Sequence, residues 1–216
     1  MRAFTVVDAP QRSDEWRYTR LGLLTGSSAA DMLASIKSGE AAARRDLRLR
    51  LITERMTAQP QEDVYINPAM QRGIDCEPLA RGAYETATGE LVRASGFLKH
   101  TSLLAGCSLD GHVGDFEGII EIKVPKSATH LRYLRAGAVP ADHLAQIRHN
   151  LWITGAAWCD FVSWDDRFPV HLQLFIARIS REECDIPGYE TKALAFLEEC
   201  ETEFQSLRGW AAARKG

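Results

Sequence analysis

Two charges interrupt the apolar run Gly118-Ile119-Ile120-Glu121-Ile122-Lys123-Val124-Pro125. The length of the run and its apolar residues predict a buried β-strand. Because side chains alternate across a strand, Glu121 and Lys123 face one side and the alternating apolar side chains face the other. A carboxylate and an ammonium are costly to bury without partners. A divalent cation would pair with Glu121, and a phosphate would pair with Lys123.

A further carboxylate lies upstream, in Ser108-Leu109-Asp110-Gly111. A tight turn would return the chain as a neighbouring strand and would place Asp110 beside Glu121. Two carboxylates, a backbone carbonyl and a lysine suit Mg²⁺ and phosphodiester cleavage, because hard cations take oxygen ligands and polarise phosphoryl oxygens. On these residues alone, an Asp-Gly turn and a charged strand on an ordinary solvated sheet remain the alternative.

Length and composition indicate a folded globular protein. The 216 residues suffice for one large domain, and 45% hydrophobic with 25% charged residues argues against disorder. No run approaches the roughly 20 apolar residues of a membrane span. The N-terminus lacks the apolar stretch of a signal peptide. Five scattered cysteines without a Cys-x-x-Cys pair argue against a zinc cluster or a disulfide framework, so we expect reduced thiols in a cytoplasmic protein.

The charge distribution leaves two interpretations open. The net charge of −3 is no global signature of nucleic-acid binding. Arginines crowd the segment from Arg44 to Arg55, basic residues recur from Lys123 to Arg135, and residues 182–203 are acidic. A locally basic groove could hold a DNA backbone. The arginine segment could equally be a solvated helix face.

The order of predicted elements indicates an α/β fold with a central mixed β-sheet flanked by helices. Without a break in composition, we expect a single domain over 1–216, with a helical segment 1–66 packed on a core 67–216. The predicted elements are short helices over 13–36, a helix over 41–57, a loop over 59–68, a helix over 69–87 after Pro68, strands over 92–100, 105–113 and 118–124, a helix over 142–154, strands over 158–164 and 170–179, and a last helix.

Four sequence blocks occur in an order and at a spacing typical of one nuclease family. They are Gln11–Ser27, Arg72–Glu77, Ser108–Pro125 and Ala145–Gly155. Together they make the chain resemble the phage-type (lambda-like) alkaline exonucleases of the PD-(D/E)xK nuclease superfamily, over about residues 11–179. The resemblance implies a restriction-endonuclease-like core.

The resemblance also implies an activity. Such enzymes digest one strand of linear double-stranded DNA from the 5′ end and release 5′-mononucleotides. They use Mg²⁺, with Mn²⁺ as an alternative and two ions per active site. Several form homotrimeric rings that thread the DNA, and they act with a single-strand annealing protein in phage recombination. A phage or prophage origin would place the protein in the cytoplasm of a bacterial host, with no membrane partner.

Matching motif to motif implies the metal centre. Asp110 and Glu121 would be metal ligands, with the Ile122 backbone carbonyl as a third. Lys123 would orient or activate the attacking water, or hold the scissile phosphate. Glu77 would face the same metals from its helix, directly or through water. The alternative for Glu77 is a first-turn carboxylate that satisfies the helix dipole.

The resemblance implies four DNA-binding residues as well. Arg20 and Ser27 would bind the 5′-phosphate, since a guanidinium grips phosphate bidentately. A surface arginine and a plain N-cap are the alternatives. Trp16 would pack on DNA bases or anchor its helix. Gln146 would point toward the active site or lie exposed. Arg148 departs from the family, which often has Gln there, and it could add a phosphate contact.

Two other functions remain open. An endonuclease of the same superfamily would need the metal centre but not the 5′-phosphate site, and it would cut a closed circle. A non-catalytic module that binds DNA ends would release no nucleotides in the presence of metal.

Overall fold

The computed structural model describes residues 2–61 and 67–213. The strands are β1 (Phe4–Val7), β2 (Leu24–Thr25), β3 (Val92–Arg93), β4 (Phe97–His100), β5 (Ala105–Cys107), β6 (Gly111–Val113), β7 (Gly118–Lys123), β8 (Trp158–Trp164) and β9 (Leu174–Ser180). The helices are α1 (Asp14–Thr19), α2 (Ala29–Leu33), α3 (Ala42–Thr57), α4 (Pro68–Thr88), α5 (Ser127–Ala136), α6 (Ala141–Thr154) and α7 (Ile186–Ala213). Of the helices within these residues, none is both long and apolar enough to cross a membrane.

The strands form two sheets, with orders β1-β4-β5-β2 and β3-β6-β7-β8-β9. In the five-stranded sheet, β7 runs antiparallel to β6 and parallel to β8, so the sheet is mixed. Helices α4 and α6 both pack against β7 and β8. The predicted α/β fold, a mixed sheet flanked by helices, is confirmed.

The predicted alternation along β7 is also confirmed. Ile120 and Ile122 are buried in a cluster that includes Tyr84 of α4. Ile119, on the other face, belongs to the cluster that contains Leu151 of α6. A strand buried on both faces reads as an almost continuous apolar run, as β7 does.

Helix α4 begins and ends where its capping residues require. The Asn67 side chain accepts a hydrogen bond from the Met70 N–H at 2.9 Å, and Pro68 occupies the first turn. Gly89 ends the helix at φ +74°, in the left-handed conformation that glycine adopts at low cost. These caps fix the helix that carries Glu77.

Two predicted strands each divide between the two sheets. The strand predicted over 92–100 is β3 and β4, and that over 105–113 is β5 and β6. At Gly96 the chain passes so close to the Val7 carbonyl that a β-carbon would collide with it. Apolar residues occur on both sides of each division, so the sequence pattern does not reveal the change of sheet.

The remaining differences concern exposed or edge segments. The beginning of the strand predicted over 170–179 is a 3₁₀ turn at Val170–Leu172, closed by the Leu172 N–H on the Pro169 carbonyl at 2.7 Å. Helix α5 was not predicted. Segment 1–66, predicted to be helical, also supplies β1 and β2 to the four-stranded sheet. Half of the loop predicted over 59–68, residues 62–66, lies outside the described residues.

Three arginines of the arginine-rich segment pair with α7 and so form neither a solvated face nor a DNA surface. Arg44 of α3 pairs with Glu199 at 2.8 Å, and Arg55 pairs with Glu201 at 2.6 Å. Arg48 pairs with Glu203 in the same way. The acidic stretch predicted over 182–203 is thus partly neutralised by α3.

Candidate active site

A cleft of about 550 Å³ brings together residues from distant parts of the chain. Its charged lining residues are Arg12, Arg17, Arg20, Arg50, Lys123, Glu54, Glu77 and Asp110. The cationic side chains outnumber the carboxylates, so the cleft can attract a polyanion although the whole chain is slightly acidic.

Asp110 and Glu121 meet as the sequence predicts. Strands β6 and β7 pair antiparallel with Gly111 opposite Ile120, so Asp110, just before β6, lies level with the end of β7. Asp110 Oδ2 accepts a hydrogen bond from the Ile122 N–H at 2.7 Å. One carboxylate oxygen is thereby fixed by the backbone, which orients the other.

Glu121 and Lys123 form an ion pair on one face of β7. Lys123 Nζ donates to Glu121 Oε1, and the Asn150 amide donates to Oε2 at 3.4 Å. Burial raises the pKa of Glu121 to about 7, against the opposing effect of Lys123. Burial would lower the pKa of Lys123, but the charges of Glu121 and Asp110 outweigh it and raise that pKa.

Glu77 faces the same centre from α4. It lies in the third turn of the helix, so the helix-dipole alternative is wrong. Burial and the charge of Asp110 raise the pKa of Glu77. Arg81 donates to Glu77 Oε1 at 3.1 Å and to the Asp110 backbone carbonyl at 2.8 Å. Arg81 thus ties α4 to the Asp110 turn, a role that the i, i+4 spacing from Glu77 only partly signals.

The donor atoms at this centre fit a hard divalent cation. Within residues 2–61 and 67–213, no three His, Cys, Asp or Glu side chains are already gathered as a complete metal site. Asp110, Glu121 and the Ile122 carbonyl nevertheless offer the oxygen donors that Mg²⁺ takes, and Glu77 adds another. Burial is the main cause of the raised pKa values of Glu77 and Glu121, and the charge of Asp110 adds to both. A bound cation would favour the charged form of each carboxylate.

A second cluster gathers around Arg20. Its guanidinium carbon lies 3.9 Å from the centre of the Trp16 ring, and Nη2 donates to Thr25 and Ser27 hydroxyls at 3.4 Å each. Trp16 Nε1 donates to Ser108 Oγ at 2.9 Å. Trp16 therefore supports Arg20 and anchors α1. Thr25 and Ser108 are members of this cluster that we did not assign from the sequence.

A buried carboxylate stabilises the turn that follows Arg20. Glu54 of α3 accepts a hydrogen bond from the Gly22 N–H at 2.8 Å. Gly22 has φ +65°, and a β-carbon there would collide with the Arg55 side chain. No local sequence signal reveals Glu54, because its partner is 32 residues away.

Ser27 is not the N-cap that the alternative required. Thr25 caps the short 3₁₀ turn Gly26–Ser28, and the Ser27 hydroxyl lies 3.2 Å from Thr25 Oγ1. The Ser27 hydroxyl is therefore directed to the Arg20 cluster.

Gln146 and Arg148 of α6 are not among the residues that line the cleft. Gln146 sits behind the turn that bears Ser27, with its Cγ 3.4 Å from where a Gly26 β-carbon would lie. Arg148 lies near Cys184. Burial raises the pKa of the Cys184 thiol, and the charge of Arg148 lowers it by a smaller amount. The phosphate contact considered for Arg148 stays a prediction.

Comparison with known proteins agrees with this architecture. Residues 15–157 match the YqaJ-like viral recombinase domain. The chain is similar to an alkaline exonuclease from Laribacter hongkongensis, with 40% identity, a TM-score of 0.83 and coverage of 93% of this chain and 99% of that one. The same exonuclease in complex with dAMP matches with 39% identity, the same TM-score and the same coverage.

A more distant structure shares the fold alone. A phage-related exonuclease from Haemophilus somnus 129PT superposes with a TM-score of 0.63 at 12% identity, covering 86% of this chain and 96% of that one. No curated protein matches the sequence. On the domain match and the Laribacter structures, the chain belongs to the phage-type alkaline exonucleases of the PD-(D/E)xK superfamily.

Proposed function

We propose that this chain is a Mg²⁺-dependent 5′–3′ exonuclease that degrades one strand of linear double-stranded DNA to 5′-mononucleotides. The observation that carries the proposal is the presence, in one cleft, of the Asp110–Lys123 centre and the Arg20 cluster. The first suits phosphodiester hydrolysis, and the second suits a terminal phosphate. The dAMP bound to the Laribacter exonuclease is consistent with a mononucleotide product.

The Arg20 cluster would bind the 5′ end. Arginine presents a planar fork of donors, and the Thr25 and Ser27 hydroxyls stand beside it. Stacking on Trp16 holds the guanidinium plane in place. A terminal phosphate carries more charge than an internal one, so it would be preferred at this position.

The Asp110 centre would perform the hydrolysis. Asp110, Glu121 and the Ile122 carbonyl would hold the ions, and Glu77 would contact them directly or through water. A bound divalent ion supplies polarisation of the phosphoryl oxygens and a water of lowered pKa. Lys123 would orient or activate the attacking water, or hold the scissile phosphate.

Family membership supports the wider setting of the proposal. We propose that the enzyme acts in phage-type recombination in the cytoplasm of a bacterial host. There it would form a homotrimeric ring and supply single strands to an annealing protein. The match to a viral recombinase domain supports this setting. We also propose that residues 1–216 act as one nuclease domain.

The test is incubation with end-labelled linear duplex, with and without Mg²⁺, beside a covalently closed circle of the same sequence. We expect mononucleotides from the linear substrate only, and only with metal. Cutting of the circle would favour the endonuclease. Binding without any nucleotide release would favour a non-catalytic module.

A further inference from the structure

Arg12 adopts a backbone conformation that its side chain disfavours. Its φ is +71°, in the left-handed region that glycine and asparagine adopt most readily. It stands third in a four-residue turn that begins at Pro10 and is closed by the Ser13 N–H on the Pro10 carbonyl at 3.0 Å. The third position of a turn with positive φ favours glycine. Backbone stability therefore does not account for an arginine here.

Contacts on both sides hold this turn. Gln11 Nε2 donates to the Leu109 carbonyl at 3.2 Å, next to Asp110 in the chain. Ser13 Oγ accepts from the Trp16 N–H at 3.1 Å and caps α1. The turn is thus fixed between the segment that carries Asp110 and helix α1, which supports Arg20. Arg12 cannot relax without disturbing one of them.

The Arg12 side chain is exposed and lines the cleft. The charge of Arg12 lowers the pKa of Glu77. Burial and the charge of Asp110 raise that pKa by more. Arg20, by contrast, is engaged with Trp16, Thr25 and Ser27. The two arginines therefore lie in different parts of the cleft, Arg12 near Glu77 and Arg20 in the cluster with Trp16, Thr25 and Ser27.

We propose that Arg12 binds an internal backbone phosphate of the strand being degraded, beside the scissile bond, and not the terminal 5′-phosphate. A strained residue that projects a charge into a binding cleft is typical of a functional site. A guanidinium beside a carboxylate centre can hold a phosphate that those carboxylates would otherwise repel. The inference rests on the proposed function for its substrate, a linear DNA duplex.

The test uses Arg12→Gly and Arg12→Asn, which both tolerate positive φ but lack the charge. Arg45→Asn is the matched control, because Arg45 pairs with Asp46 on the surface of α3, and neither residue lines the cleft. Binding is measured by fluorescence anisotropy in EDTA, with 5′-phosphorylated and 5′-hydroxyl duplexes over a range of salt. This readout does not require cleavage.

We expect both Arg12 variants to weaken binding about 5- to 10-fold at low salt and to reduce the slope of log K against log salt by about 0.7–0.9, as for one lost phosphate contact. The loss should be equal for the two end chemistries. Arg45→Asn should leave affinity unchanged. Melting temperature should not fall, and Arg12→Gly should raise it by about 1–3 °C, because strain is released.

Unchanged affinity and salt slope in both Arg12 variants would overturn the inference. A loss confined to 5′-phosphorylated ends would also overturn it, because Arg12 would then contact the terminal phosphate. If wild-type protein releases no nucleotides in Mg²⁺ while the binding results hold, the proposed hydrolysis fails and the phosphate contact stands. If wild-type protein does not bind duplex DNA at all, both fail.

Discussion

Replacing Arg20 by alanine should remove most of the preference for a 5′-phosphorylated end. A hydrogen bond to a charged group contributes about 1.5–3 kcal/mol, and 1.4 kcal/mol corresponds to tenfold. The bonds that Arg20 now makes to the Thr25 and Ser27 hydroxyls are long, at 3.4 Å. Exchanging them for a phosphate would therefore cost little. We expect the wild type to digest 5′-phosphorylated duplex roughly 10- to 100-fold faster than 5′-hydroxyl duplex.

The assay compares initial rates of nucleotide release for two end chemistries and four proteins. Arg20→Ala should reduce the preference to within about threefold and leave slow residual cleavage. Arg20→Lys keeps the positive charge, but a lysine ammonium cannot stack on the Trp16 ring or donate two parallel hydrogen bonds to one phosphate. This variant should therefore keep only part of the preference for a 5′-phosphate. Arg45→Ala is the control for a lost surface charge. A wild type without preference, or a full preference in Arg20→Ala, would refute end recognition by this side chain.

Three further outcomes are expected. Asp110→Ala and Glu121→Ala should each slow cleavage on the order of 10³-fold while DNA binding survives, since both would hold the metal; more than a tenth of wild-type rate at either position contradicts that role. Lys123→Ala should lose more in turnover at saturating DNA than in affinity, as separate measurements of both would show; an equal loss of affinity with normal turnover would make it a simple backbone contact. Burial lowers the pKa of His149 to about 4, so this residue stays neutral in the folded protein while the unfolded chain protonates near pH 6.5. Stability should therefore fall by up to about 3 kcal/mol as pH drops from about 6.5 to 4, and a His149→Gln variant whose pH dependence in urea melts equals that of the wild type would contradict this.

The meeting of Asp110 with Glu121 and Lys123 was predictable because its signals are local. The alternation of β7 placed Glu121 and Lys123 on one face, and the turn at Asp110 implied an antiparallel neighbour. Hydrophobic periodicity and a glycine turn act within a few residues, so the sequence displays them directly. The roles of these residues, by contrast, rest on family resemblance.

The supporting residues could not be predicted, because their partners are distant in the chain. Glu54 meets Gly22 across 32 positions, and Arg81 meets the Asp110 carbonyl across 29. Asn150 reaches Glu121 across 29. None of these side chains has a spacing pattern that differs from an ordinary helix residue. Similarly, the division of apolar runs between two sheets depends on pairings that only the folded chain shows.

The hydrogen bond from Trp16 to Ser108 bears on the length of the product. Trp16 carries the stacked Arg20, and Ser108 stands two residues before Asp110. Two residues of chain span at most about 7 Å. The hydrogen bond therefore restricts the distance between Trp16, which supports Arg20, and Asp110. If Arg20 binds the terminal phosphate and Asp110 holds the metal, as proposed, the separation between that phosphate and the point of cleavage is set by the protein and not by the DNA. Every cut would then yield a fragment of the same size.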